Sequence, residues 1–296
     1  MLQGTTVAIV TPFQNGTIDE QALRDLVAFH IAKGTNAILP CGTTGESPTL
    51  SHDEHDRVIE ICIEAAQGKV PILAGTGSNS TAEAIRLTKH AADAGADAAL
   101  VVTPYYNKPM QEGLYRHFKA VADAVDIPII LYNIPGRCSR NIDPETMARL
   151  AGDCKNIIGV KEAAGSLDQM QTIKAICPKD FLLLSGDDAL TLPLLSIGGH
   201  GVISVIANFI PQDVNAMINA FQQGDIRQAQ DRHYKMLPLV KMLFCETNPA
   251  PLKEAMEMLG LCKADLRLPM CRISEEHRNL LRRALENYGL TTETKG

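Results

Sequence analysis

The chain has few aromatic side chains, 4% of its 296 residues, and nowhere does positive charge gather. It carries 28 basic and 34 acidic residues, a formal charge of −6, with the lysines and arginines scattered along its length. A nucleic-acid surface needs clustered cations to displace counterions from phosphates, so no nucleic-acid partner is expected. The same balance gives no reason to expect an acidic membrane surface. No apolar run approaches the roughly 18 residues that span a bilayer. The start, MLQGTTVAIVTPF, lacks the basic and long apolar segments of a signal peptide, so the expected location is cytoplasmic, with no membrane partner. The eight cysteines (Cys41, Cys62, Cys138, Cys154, Cys177, Cys245, Cys262, Cys271) include no CxxC pair and no cysteine–histidine cluster at zinc spacing. They read as reduced, mostly buried thiols, and no metal is expected. GTGSNST (75–81) has neither a GK[ST] ending nor a complete GxGxxG, which excludes a nucleotide phosphate loop.

What is present is apolar and regular. Apolar residues make up 45% of the chain, a length and composition that suit two smaller domains or one α/β barrel of roughly 250 residues. Eight short apolar runs, bounded by Gly, Pro and Asp, fall at 5–11, 36–41, 71–76, 98–104, 128–133, 157–163, 181–188 and 201–208. They are apolar on both faces and rich in Val and Ile, as parallel strands buried on both sides must be. Between them lie segments of helical period, such as 19–33 before Gly34, 51–67 before Gly68 and 80–94 before Gly95. Glycine just past the last periodic residue is a left-handed C-terminal cap, and Ser51 with Glu54 has capping-box spacing. Eight strand–helix units in succession predict the α/β class and a closed (β/α)8 TIM barrel over residues 1–224 rather than a doubly wound sheet. From 225 to 296 the strand signal disappears and an appended C-terminal helical region is expected, its final TTETKG frayed.

Active sites of such barrels sit at the C-terminal ends of the strands and in the loops that follow. The polar residues there are Thr11, Thr43, Thr44, Glu46, Thr76, Ser78, Thr103, Tyr105, Tyr106, Tyr132, Asn133, Lys161, Glu162, Asp187, Asp188, Ser204 and Asn208. Lys161 alone among the lysines is embedded in a strand of apolar residues, IIGVKEA. Strand alternation groups it with Ile157 and Gly159; if that face is the barrel interior, desolvation lowers its pKa and makes it an amine nucleophile able to form Schiff bases. The other reading is a lysine paired with a carboxylate, for which Glu162 is badly placed because neighbours on a strand face opposite ways. Tyr132, ending the preceding strand, is either a proton donor and acceptor or a core residue with a bonded hydroxyl. Thr43 and Thr44 stand in a glycine-flanked turn that either holds a carboxylate or is chosen for conformation. His52 and His55 have i, i+3 spacing near a helix start; a solvated helix end is the default reading and a metal site the alternative.

The motifs GTTGES (42–47), AGTGSNST (74–81), VTPYYNKP (102–109), LYNIPGR (131–137), GVKEA (159–163), LSGDDA (184–189) and GGHGVISV (198–205) occur in an order and spacing that resemble the bacterial dihydrodipicolinate synthase family. That family lies in the superfamily of Schiff-base aldolases and N-acetylneuraminate lyases. The resemblance runs through NPAPLKEAMEMLGL (248–261) and so covers essentially the whole chain. It implies a lyase without a separate cofactor. Lys161 forms an imine with pyruvate, and the derived enamine attacks L-aspartate 4-semialdehyde. The products are 4-hydroxy-tetrahydrodipicolinate and water, at the first committed step of diaminopimelate and L-lysine biosynthesis.

The resemblance also implies roles for particular positions. Tyr132 exchanges protons through a relay with Thr43 and Tyr106, the last reaching into an adjacent subunit, so a homotetramer built as a dimer of dimers is expected. Thr44, Ile203 and Gly186 bind the keto acid, and Arg137 fixes the semialdehyde carboxylate with its planar fork. Related keto-acid aldolases and N-acetylneuraminate lyases share the lysine and the tyrosine of YNIP and form the alternative; Arg137 after IPG and the doubled tyrosine of TPYYNKP favour the synthase. L-Lysine is the expected feedback inhibitor, at Ser47, Pro48, His52, His55, Asn79, Glu83 and Tyr105. Glu83 would meet the ammonium group, projecting with Asn79 from one helix start at i, i+4. Three positions depart from the family pattern: Pro48 for a common alanine, and Cys138 and Ile206 for common threonines. None removes a proton-transfer group, and the Cys138 thiol reads as buried and inert.

Overall fold

The computed structural model describes residues 2–291. Its strands are β1 (Gly4–Ala8), β2 (Ala37–Leu39), β3 (Leu73–Gly75), β4 (Ala98–Val102), β5 (Ile129–Asn133), β6 (Ile157–Glu162), β7 (Leu182–Ser185) and β8 (Gly201–Ser204). All pair in parallel in one 8-stranded sheet, in the order β2-β1-β8-β7-β6-β5-β4-β3. A bridge from Ile38 to Ile72 brings β2 back to β3 and closes the ring, so the expected (β/α)8 barrel is the fold. The strands are shorter than the apolar runs because the last residues of several runs leave the ladder. Pro40 after β2 and Pro104 after β4 have no N–H to give it.

The helices between the strands are α1 (Glu20–Ala32), α2 (His52–Ala66), α3 (Thr81–Ala94), α4 (Gln111–Ala122), α5 (Pro144–Asp153), α6 (Leu167–Ile176), α7 (Thr191–Ser196) and α8 (Pro211–Gln222). The Ser51–Glu54 capping box is formed in both directions, and Gly95 ends α3 at φ 97°. At the end of α2 the chain turns one residue earlier than the sequence suggests, with Gln67 already left-handed at φ 50° before Gly68. Where β8 passes β1, Gly201 is required: a Cβ there would lie 2.1 Å from the Gly4 carbonyl oxygen.

Alternation splits the barrel into two layers. Ala8, Leu39, Leu73, Leu100, Ile130, Tyr132, Leu184 and Ile203 fill the interior, while Val101, Leu131, Val160 and Leu183 face the surrounding helices. In β6 the strict period fails once. Ile129 pairs with Ile157 but Ile130 with Gly159, leaving Ile158 as an extra residue. Ile157 therefore packs outward with Val160, and Ile158 against the interior. The expected grouping of Ile157 with Lys161 is thus incorrect, because the bulge resets the parity between them.

Three further helices follow: α9 (Ile226–Met242), α10 (Ala250–Met258) and α11 (Glu275–Tyr288). Met236, Leu239, Ala255 and Leu281 join Val7, Leu23 and Ile59 in one buried cluster, so this region packs directly on the barrel wall. A two-residue hairpin, Phe13–Gln14 with Thr17–Ile18, is too short to carry an alternation signal and was not anticipated. The reading of TTETKG as frayed concerns residues that, after Thr291, lie outside those described. Among the described residues no helix is long and apolar enough to cross a membrane.

Candidate active site

The in-register pairing of Tyr132 with Lys161 on β5 and β6 sets two side chains next to each other at the C-terminal end of the barrel interior. Lys161 is only 6% exposed, and its Nζ lies 4.2 Å from the centroid of the Tyr132 ring. Burial takes the ammonium out of water and lowers its pKa to about 7; the Asp188 carboxylate opposes this and the Arg137 charge adds to it. Asp188 is itself held by the Ser204 hydroxyl at 2.6 Å and the N–H groups of Val205 and Ile206 at 2.9 and 3.1 Å. It acts on the amine as a fixed buried carboxylate.

Glu162 faces the other way, as its neighbour's inward position requires. Its oxygens accept from Asn133 Nδ2 at 2.9 Å, Ala164 N–H at 2.7 Å and Gln169 Nε2 at 2.9 Å. The carboxylate-pair reading of Lys161 with Glu162 is therefore not realised. Gly186 lies against the lysine stem. A Cβ there would stand 3.2 Å from Lys161 Cε and 2.6 Å from Ala163 Cβ, so the absent side chain makes room for the amine.

Burial pushes the Tyr132 hydroxyl up to about 12, while a hydrogen bond with Thr43 and the Arg137 charge pull it down. Tyr132 and Thr43 line a cavity of about 460 Å³ together with Arg137, Cys138 and Asn248. Arg137 stands on a helical turn, Pro135–Cys138, that directly follows β5 and Ile134, and its Nη2 donates to the Asn248 carbonyl at 3.3 Å. Thr44 is buried, its hydroxyl oxygen accepting from Asn248 Nδ2 at 3.1 Å. Ile203 is an interior residue of β8. The structure thus brings together Lys161, Tyr132, Thr43, Thr44, Gly186 and Arg137. Tyr106 stands apart, 89% exposed and left-handed at φ 70°, so within one chain it makes no relay with Thr43 and Tyr132.

The same cavity continues to Ser47, Pro48, His52, His55, Glu83 and Tyr105. Glu83 is held by the Ser78 hydroxyl on one oxygen and by His52 Nε2 at 2.6 Å on the other. These partners hold its carboxyl below the usual range. His55 is buried, burial lowering its pKa, with Nε2 at 2.9 Å from the Gly75 carbonyl oxygen. Asn79 differs from the expected placement. Ser80 takes the N-cap of α3, so Asn79 lies in the preceding loop and not one helical turn from Glu83; its side chain donates to the Tyr105 carbonyl at 3.1 Å. Among the described residues no three His, Cys, Asp or Glu side chains cluster as metal ligands. All eight cysteines are free, five of them buried, Cys138 among them with its thiol pushed up to about 11 by burial.

Sequence reasoning did not find what the C-terminal region contributes. Besides Asn248, the fully buried Lys253 pairs with Glu46 two residues beyond Thr44, donates to the Asp265 carbonyl at 2.8 Å and lies over the Phe13 ring. A lysine inside the apolar run of NPAPLKEAM was the available signal.

A profile of the dihydrodipicolinate synthetase family matches residues 1–288. The chain is similar to the 4-hydroxy-tetrahydrodipicolinate synthase of Syntrophus aciditrophicus, 59% identical over 290 residues that cover 98% of this chain and 99% of that protein. It superposes on the crystal structure of dihydrodipicolinate synthase from Aquifex aeolicus with a TM-score of 0.98 at 50% identity, covering 99% of this chain and 100% of that one. Two other similar structures carry ligands. One is the Acinetobacter baumannii enzyme complexed with pyruvate, with TM-score 0.95, 45% identity and coverage of 98% and 100%. The other is that of Cyanidioschyzon merolae with lysine bound, with TM-score 0.95, 43% identity and coverage of 97% and 98%.

Proposed function

The chain belongs to the dihydrodipicolinate synthetase family, and from that premise we propose that it condenses pyruvate with L-aspartate 4-semialdehyde through an imine on Lys161. The product is 4-hydroxy-tetrahydrodipicolinate, formed with one water at the first committed step of diaminopimelate and L-lysine biosynthesis. The observation that carries the reading is a buried amine with a pKa of about 7 at the end of a barrel strand, against a buried tyrosine.

A neutral Lys161 attacks the pyruvate ketone, and loss of water gives the imine. Loss of a methyl proton gives the enamine, whose carbon attacks the aldehyde and leaves the new hydroxyl. The amino group of the semialdehyde then displaces Lys161 from the imine carbon and closes the ring, regenerating the free amine. Tyr132 transfers protons in these steps, helped by Thr43; its high pKa keeps it a protonated donor at rest. Thr44 and the Ile203 carbonyl bind the keto acid beside Gly186, and Arg137 receives the second carboxylate. The chemistry needs no separate cofactor.

We further propose a homotetramer, a dimer of dimers in which the exposed Tyr106 of one subunit completes the relay of its partner. L-Lysine is the proposed feedback inhibitor. Its ammonium group would bind Glu83, displacing His52, in a site formed with Ser47, Pro48, His55, Asn79 and Tyr105 at the interface. The lysine-bound relative supports this reading.

Borohydride reduction with pyruvate tests the chemistry: a pyruvate-derived mass on Lys161 is expected, and its absence overturns the imine. Consumption of aspartate semialdehyde should exceed cleavage of N-acetylneuraminate or keto-deoxy sugar acids; the reverse order makes the chain a keto-acid aldolase. No response to millimolar L-lysine removes the inhibitor.

A further inference from the structure

Thr44 reaches its place through a residue more than 200 positions away in the chain. Asn248 lies just before α10 and is buried, and its Nδ2 donates to Thr44 Oγ1 at 3.1 Å. Its Oδ1 is buried without a partner, and its backbone carbonyl accepts from Arg137 Nη2 at 3.3 Å. The segment is pinned again five residues on, where Lys253 pairs with Glu46 in the loop that carries Thr44.

The amide nitrogen, not its oxygen, is the atom placed against Thr44 Oγ1, so an N–H points at the hydroxyl oxygen. With an N–H from Asn248 on its oxygen, the Thr44 hydroxyl does not direct its single proton at Asn248 and keeps it for a third group. A carboxylate is an acceptor only, so it matches a hydroxyl held in this sense.

We propose that Asn248 is a positioning residue that fixes Thr44 as a hydrogen-bond donor toward the carboxylate of the keto acid, and thereby selects an anionic first substrate. The inference rests on the reading of Thr44 as the keto-acid residue. In this proposal Asn248 acts through Thr44 and not on the reacting atoms. Through its backbone carbonyl it also steadies Arg137, so one residue of the C-terminal region touches both proposed carboxylate-binding side chains.

The test is borohydride trapping on Lys161 in the full-length wild type, Asn248→Ala, Thr44→Val and the double variant. Each is titrated with pyruvate and with pyruvamide, which keeps the ketone and lacks the carboxylate. Asn248→Ala should raise the half-saturating pyruvate concentration about three- to ten-fold, a fraction of one hydrogen bond to a charged group, and leave pyruvamide within about two-fold. The double variant should be no worse than Thr44→Val alone, because Asn248 acts through that hydroxyl. Equal losses for both ligands, no loss for either, or multiplicative effects in the double variant would each overturn the proposal. If Asn248→Ala does not fold, the near-isosteric Asn248→Leu is read by the same criteria. Failure of the wild type to trap pyruvate instead overturns the proposed reaction, which keeps the two failures apart.

Discussion

Replacing Lys161 by Met removes an amine from the barrel while keeping a flexible, unbranched side chain, and the structure fixes how the effect should depend on pH. Folding takes this group from an ordinary value of 10.5 to about 7. Between those pH values the unfolded chain holds a proton that the folded chain has released, so wild-type stability rises with pH across that window. Below pH 7 both states are protonated and the full cost of burying the ammonium is present; above 10.5 both are neutral and it has gone. The separation of the two values corresponds to roughly 5 kcal/mol at its largest. Lys161→Met should therefore be more stable than wild type by several kcal/mol at pH 6.5, with the gain shrinking below about 1 kcal/mol near pH 10.5. Urea unfolding of both proteins over this range, at one protein concentration because subunit association also contributes, gives the difference with other titrations cancelled. A gain that is constant between pH 7 and 10, or that grows with pH, would refute the burial argument.

Other substitutions test other parts of the site. Gly186→Ala places a Cβ against Ala163 and Lys161; it should lower stability by about 1–3 kcal/mol and slow single-turnover imine formation, and an unchanged imine rate would show that the amine does not need this space. Glu46→Gln leaves Lys253 buried without its counter-charge and should cost about 3–5 kcal/mol in urea unfolding, most of it recovered when Lys253→Met is added. No recovery in the double variant would mean that Glu46 stabilises the loop by another route. Tyr106→Phe should lower kcat while sedimentation shows unchanged assembly, and wild-type turnover would remove Tyr106 from the relay.

How far the sequence could be read depends on the range of the interactions involved. The barrel was legible because eight buried parallel strands each leave a local apolar run, and because caps such as Ser51 with Glu54 are written within four residues. Lys161 was legible for a related reason, as a charge inside such a run. The bulge at Ile158 was not, since IIGV alternates the same way with or without an extra residue and only the pairing with β5 reveals it. Asn248 on Thr44 and Lys253 on Glu46 join residues more than 200 positions apart; the apolar run around Lys253 hints that the lysine is buried, but nothing local names the partner of either residue. Asn79 precedes the Ser80 cap, so the helical i, i+4 relation to Glu83 does not apply to it, and the serine three residues before Glu83 is the local signal of that boundary.

The outward carboxylate of Glu162 bears on the reaction without entering it. Adjacent residues of one strand give the interior an amine and the outer layer an acid, and burial raises the pKa of that acid although its hydrogen bonds pull it down. Asn133, Gln169 and the Ala164 N–H hold it in a network that extends to Asn141. Asn133 directly follows Tyr132 on β5, as Glu162 directly follows Lys161 on β6, and the two pairs lie in register. The Asn133–Glu162 contact on the outer face therefore clamps the two strand ends whose inner faces carry the tyrosine and the lysine. A slip of one residue between these strands would break the outer network and separate the inner pair together. The alignment that sets Tyr132 against Lys161, on which the proposed proton exchange depends, is thus stabilised from the outer face of the sheet.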